Sequence, residues 1–303
     1  MAQAPAAPKI KRAALLAATA VVGPRLARHG ESLMPSERAA LDLRAARPGG
    51  APPQAEGVTF LIPLVGPEHV SDWQAVTDRL ATTMQGFLDQ TDPNWRAVIC
   101  CQRRPPLPDD PRITHLHFDD PTPGNDKWRK LAALCDHLGA LDLAPGYVMS
   151  FDADDLLHRD AVAEMLARQD PGGYLLQTGY VMDHATGQIA LAGPPTPALP
   201  LRKPFWKLCG SCAALFHDPA LPESAAFLRA MTAHEHRMFP YLARLAGAPL
   251  RPLSRPAVLY VLNHGENFGA RRGRVGFKTR FVTRFAVTDP AKLNAIAAEF
   301  PAP

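Results

Sequence analysis

The sequence predicts an α/β fold in which helices flank a mostly parallel, doubly wound central sheet. Three observations carry this. From Val58 onwards short apolar runs alternate with helical patterns. The fourth run, Tyr147 to Phe151, is mostly apolar, as in a strand buried on both faces, whereas the third carries His115 and His117 in alternation. The fourth, YVMSF, ends abruptly in the acids Asp152, Asp154 and Asp155, and open α/β sheets bind ligands beyond such carboxyl ends.

The elements follow in order. KIKRAALLAATAVVGPRLARHG places basic residues on both sides of Ala13 to Val22, a run too short to cross a bilayer, which takes about 20 residues. It reads as a short basic helix lying against a membrane surface or the body of the protein. ARPGGAPPQAEG (Ala46 to Gly57) has the composition of a linker, so residues 1–56 are expected to be an extension contributing little to the core. VTFLIPLV (Val58 to Val65) is the first strand and ends at Pro63. Trp73, Val76, Leu80, Met84 and Phe87 stand at helical spacing behind Ser71 as the cap. WRAVICC and RITHLHF are the second and third strands. DKWRKLAALCDHLGAL is a helix with Leu131, Leu134, Cys135 and Leu138 on one face, and YVMSF follows. Beyond the acids come a hairpin around His184-Ala185-Thr186, a Pro-rich loop and a helical region from Ser224 to Ala246. The strand-like AVLYVLNHG then ends in His264, ahead of a basic tail from Arg271 to Arg284. Three parts are expected: 1–56, the extension and linker; 57–200, a ligand-binding half; and 201–303, a smaller second half with the basic tail.

Composition narrows the class. With 303 residues, 47% of them hydrophobic, the chain can bury a sizeable core. A net charge of +4 does not call for nucleic acid as a partner. Five cysteines without framework spacing suit reduced thiols and a cytoplasmic setting, and Cys209-Gly-Ser-Cys212 lacks the second pair of a zinc site.

Three crowded carboxylates repel one another unless a cation, a proton or donors compensate them. A helix cap explains one of them. D-A-D-D after a buried strand suits a hard divalent cation, Mg²⁺ or Mn²⁺. An EF-hand is excluded, since neither the sixth-position Gly nor the closing Glu is present. A haloacid-dehalogenase-type phosphohydrolase with Asp152 as nucleophile is the competing chemistry, although Leu156 stands where Thr or Val is wanted.

From Val58 to Phe268 the chain resembles the family 2 glycosyltransferases of the GT-A fold, on the motifs VTFLIPLVG and YVMSFDADDLL. The resemblance implies a Rossmann-like half that binds a nucleotide-sugar donor, a smaller acceptor-side region, and inverting transfer to a hydroxyl of a glycan, a lipid-linked or a small-molecule acceptor. It assigns the end of the first strand (Pro63, Leu64, Val65), Asp152 and Ala153 to the nucleotide sugar, with Asp154 as main metal ligand beside Asp152, and Asp155 as a structural residue. Where the family commonly has acids after the second strand, this chain has Cys101-Gln102-Arg103-Arg104, which leaves Gln102 at that place. Lys127 and Lys130 occupy a place where the family has a basic residue reaching the nucleotide. In HEHRM, Glu235 matches the catalytic base, with His234 or His236 able to share the task. His264 would complete the metal site. Asn267, Arg271, Arg272 and Arg274 would neutralise the diphosphate or form a patch for anionic membrane, which makes peripheral contact with the inner face of the membrane a further expectation. A member that binds a sugar nucleotide or glycan without turnover is the non-enzymatic alternative.

Overall fold

Each apolar run read as a strand forms one in the computed structural model, which describes residues 3–120, 122, 124–265 and 275–302. The chain begins with helices α1 (Lys9–Val22), α2 (Pro24–Ala27) and α3 (Pro35–Ala46). Then come β1 (Gly57–Pro63), α4 (Trp73–Leu88), β2 (Trp95–Cys101), β3 (Ile113–His117), α5 (Lys127–His137) and β4 (Gly146–Ser150). Beyond the acids follow β5 (Leu156–Leu157), α6 (Ala161–Arg168), β6 (Gly173–Leu175), β7 (Gly179–Asp183), β8 (Gln188–Ala192) and β9 (Ala213–His217). The remainder is α7 (Pro222–Met231), α8 (Phe239–Leu245), β10 (Arg251–Pro252), β11 (Val258–Leu262), α9 (Val275–Arg284) and α10 (Pro290–Glu299).

The strands form two sheets. The larger has seven strands in the order β10-β6-β9-β4-β1-β2-β3. It is parallel except at β9, which runs against both β4 and β6. This is the mixed α/β architecture expected: a mostly parallel central sheet with helices packed on it. The smaller sheet, β5-β11-β7-β8, pairs β11 with β7 in parallel and contains the hairpin between β7 and β8. Although β4 and β11 belong to different sheets, the segments that follow them meet, since His264 lies 2.8 Å from Asp154.

Aromatic packing fixes the centre of the larger sheet. The rings of Phe60 on β1 and Phe87 on α4 lie 4.4 Å apart, and Phe151, just past β4, meets Phe87 edge-on at 5.3 Å. Such pairs add about 0.5–1.5 kcal/mol beyond their area burial. The cap of α4 is Asp72 rather than Ser71: its carboxylate accepts the Ala75 amide at 2.9 Å. The helical stretch from Ser224 to Ala246 breaks between α7 and α8 into a short 3₁₀ turn, His236–Met238, and Pro240 sits in the first turn of α8, where proline is tolerated.

The first 56 residues do not stand apart as their composition suggested. α3 packs on α7 and α8, and Ala40, Leu41 and Leu43 are buried. The Glu37 carboxylate, fully buried, accepts the Met34 amide and the Tyr241 hydroxyl, each at 2.9 Å. Ser36 bonds His234 at 2.7 Å, both inside the core. Even the Pro/Gly stretch is pinned, since the Ala55 amide donates to the Gln169 side chain at 2.7 Å. The linker composition marks a change of register in the chain, while the amphipathic pattern of α3 decides where it packs. All five cysteines are buried free thiols. Among the described residues no helix is long and apolar enough to cross a membrane.

Candidate active site

The acidic loop is held from behind by donors. The Phe151 amide continues the ladder to the Leu61 carbonyl at 2.9 Å, and the chain then leaves the sheet. The Asp152 amide donates to the Ser211 hydroxyl oxygen at 2.8 Å, and that hydroxyl donates in turn to the Asp155 carboxyl at 2.6 Å. The Cys209 thiol reaches the same oxygen at 3.1 Å. From α4, the Thr83 hydroxyl reaches the carbonyls of Ala153 and Asp155 at 2.9 and 3.0 Å. Asp155 is fully buried; burial, reinforced by the charges of Asp154 and Asp152, pushes its carboxyl well above the ordinary range. None of the three acids caps a helix, because α6 begins only at Ala161.

The two outward acids each meet a cation or an imidazole. The Lys127 ammonium donates to Asp152 Oδ1 at 2.6 Å, and His264 Nε2 lies 2.8 Å from Asp154 Oδ2. Burial alone would raise the Asp154 carboxyl, but the His264 bond and the charges of His264 and Lys127 outweigh it and hold it below the ordinary value. Burial likewise pulls the Lys127 ammonium down; Asp152, with Asp154 and Asp155, overrides this and holds it above its usual value. Local sequence places both partners. Lys127 opens α5, where its amide is capped by the Asn125 side chain at 2.9 Å. His264 follows Asn263, whose φ of 64° lies in the left-handed region that Asn tolerates. The Asn263 amide group ties this turn to Asp183 at 2.8 Å, and Arg79 of α4 donates to the His264 carbonyl at 2.8 Å.

These groups open onto a cavity of about 850 Å³, within the usual size of small-molecule sites. Pro63, Leu64, Val65, Lys127, Asp152, Ala153, Asp154, Glu235 and His264 all line it. Lys130 and Gln102 do not. Lys130 is fully buried, where its ammonium donates to the Leu64 carbonyl at 2.6 Å and pairs with Asp126 at 2.8 Å. The Gln102 amide is spent on the same Asp126 at 2.6 Å. Both support the loop after β1 instead of reaching a ligand. The cavity also recruits Arg79, Trp128, Lys207, Arg237, Tyr260 and Lys278, which sequence reading did not single out. Lys278 belongs to the basic tail and donates to the Tyr260 hydroxyl at 2.7 Å; burial holds its ammonium below the usual value. Asn267, Arg271, Arg272 and Arg274 lie outside the described residues.

Glu235 also lines the cavity, at the start of the 3₁₀ turn. Its two histidine neighbours both have pKa values below the ordinary imidazole value. His234 is buried against Ser36, and burial lowers its pKa. His236 also lines the cavity and is lowered to about 4, chiefly by burial and then by Arg237, so it is neutral at neutral pH.

The donor set of Asp152, Asp154 and His264 fits a divalent cation in its chemistry, two carboxylates and an imidazole with Asp154 held ionised. As they stand, the three do not bring their ligand atoms within 4.8 Å of one another. Among the described residues Glu68, His69 and Asp126 do so. Asp126 in that group is already compensated by Lys130 and Gln102.

No protein-family model matches the chain, and no curated protein matches its sequence. Among solved structures, the fold is similar to the crystal structure of S. aureus TarS, with a TM-score of 0.33 and 10% identity over 68% of this chain and 37% of that one. The chain thus spans little more than a third of that structure's length, and a likeness this loose carries no argument about activity.

Proposed function

We propose that the cavity binds a nucleotide-activated sugar and transfers the sugar to an acceptor hydroxyl, with inversion. The observation that carries this reading is that one cavity is lined by two groups: the acids that follow β4 with their partners Lys127 and His264, and Glu235 at the start of the 3₁₀ turn. The D-A-D-D motif just beyond a fourth, central strand supports the donor side. Glu235 takes the proton of the acceptor hydroxyl. The acceptor oxygen bonds to the anomeric carbon as the bond to the diphosphate breaks, and that electron pair leaves on the diphosphate. Lys127 and Arg79 stand on the donor wall as fixed positive charge for that anion. Mg²⁺ or Mn²⁺ held by Asp154 with Asp152 and His264 would supply further charge for the leaving group. Pro63, Leu64, Val65 and Ala153 shape the nucleotide-sugar side. The uncrosslinked thiols support a cytoplasmic setting for the reaction.

A thermal-shift panel of sugar nucleotides with and without Mn²⁺ tests this, since a ligand of the native state raises apparent stability. At least one should do so, with a metal dependence that Asp154→Asn removes. In Glu235→Gln the same donor should bind with near-unchanged affinity while transfer falls by roughly 10²–10⁴. Transfer near the wild-type rate in that variant would end the assignment of Glu235, and no stabilisation by any sugar nucleotide would end the donor reading.

A further inference from the structure

The outward face of α1 bears no charge between Lys11 and Arg25. Ile10 and Val21, each 85% exposed, lie on one side of the helix three turns apart. Between them Ala13, Ala14, Ala17, Ala18 and Ala20 are exposed, and Val22 and Leu26, the latter 68% exposed, extend the strip. Surface helices ordinarily turn polar residues outward. This helix cannot roll to hide its strip, because its inward face is fixed. Leu15 and Leu16 pack on the core, Thr19 is buried, and the Arg12 guanidinium lies over the Tyr241 ring at 5.6 Å. Within residues 1–30 the charge has one sign, although Lys11 pairs with Glu37 and Arg28 with Asp42. Residues 1–30 contain Lys9, Lys11, Arg12, Arg25 and Arg28 and no Asp or Glu, and Lys9 and Arg25 are exposed at the two ends of the strip.

We propose that α1 docks flat on an anionic lipid bilayer. Ile10, Val21 and Leu26 enter the boundary of the acyl region, and Lys9 and Arg25 meet lipid phosphates. A protein partner is the weaker match, since the strip offers no Trp, Tyr or Phe to anchor an interface. At 14 residues the helix is about 21 Å long and lies in the interface plane rather than crossing it. The inference is independent of the reading of the cavity.

Co-sedimentation of the full chain with vesicles tests it, using phosphatidylcholine alone and an equimolar mixture with phosphatidylglycerol. The chain should pellet with the anionic vesicles only, less so as salt rises. Ile10→Glu/Val21→Glu and Lys9→Glu/Arg25→Glu should each lower the partition coefficient roughly tenfold or more. Hydrogen exchange on the wild-type chain, which needs no variant to fold, should show added protection over residues 9–26 with anionic vesicles. Unchanged binding by both variants, binding to neither vesicle, absence of that protection, or a concentration-dependent dimer abolished by Ile10→Glu/Val21→Glu would overturn the proposal.

Discussion

Ser211 accepts the Asp152 amide and donates to Asp155, so one hydroxyl ties the outward acid to the inward one. Ser211→Ala leaves a buried carboxyl short of a donor and an amide short of an acceptor, which should cost about 1–3 kcal/mol of stability, read from urea unfolding. Lys127→Met removes the charged partner of Asp152 and, on the proposed reading, a contact to the donor diphosphate. Sugar-nucleotide binding should weaken by at least about tenfold, measured by calorimetry, as expected when a charged hydrogen bond of about 1.5–3 kcal/mol is lost. The acids were legible in the sequence because their crowding demands compensation. Lys127 and His264 were named through the family resemblance, but their direct pairing with Asp152 and Asp154 was not legible, because they are 25 and 110 residues away from these partners. Lys130 misled for a local reason: Asp126 stands four residues earlier, and the resulting pair turned the lysine into the core.

At the scale of elements, α3 decides whether the amino-terminal stretch is dispensable. Leu41 is fully buried, so Leu41→Ala should cost about 2–5 kcal/mol in urea unfolding, against nearly nothing for an appended helix. A chain starting near Gln54 should accordingly aggregate or unfold at lower temperature, since His234, Tyr241 and the faces of α7 and α8 lose their cover. Strand β2 was read with its observed bounds because a run of seven residues opening on Trp95 and holding Val98 and Ile99 is too short for a typical helix and suits a strand. Of the smaller sheet, the β7–β8 hairpin and the run that forms β11 were foreseen, but not their assembly into one sheet. Its central pairing joins β7 to β11, some 80 residues apart, and nothing local to either strand records the partner.

Across the whole molecule, burial keeps several histidines neutral. His115, His158, His217, His234 and His236 all have lowered pKa values with desolvation as the first cause, and His236 falls to about 4. When the folded-state pKa of a base is depressed, the unfolded chain binds more protons between the two values. Stability from these groups is therefore fully present above the ordinary imidazole value of 6.5 and declines as pH falls towards about 4. The urea midpoint should drop over that window, and His236→Gln should flatten the decline; a midpoint constant over the window would contradict it. The bond between Ser36 and His234 has a consequence for synthesis as well. The two residues are 198 positions apart, so α3 leaves the ribosome long before its cover exists. At roughly 5–20 residues per second, its apolar stripe waits on the order of 10–40 s for α7 and α8. The helix that braces the loop carrying Glu235 is thus among the surfaces a nascent chain must shield longest, and slowed elongation between residues 46 and 222 should lower the soluble yield.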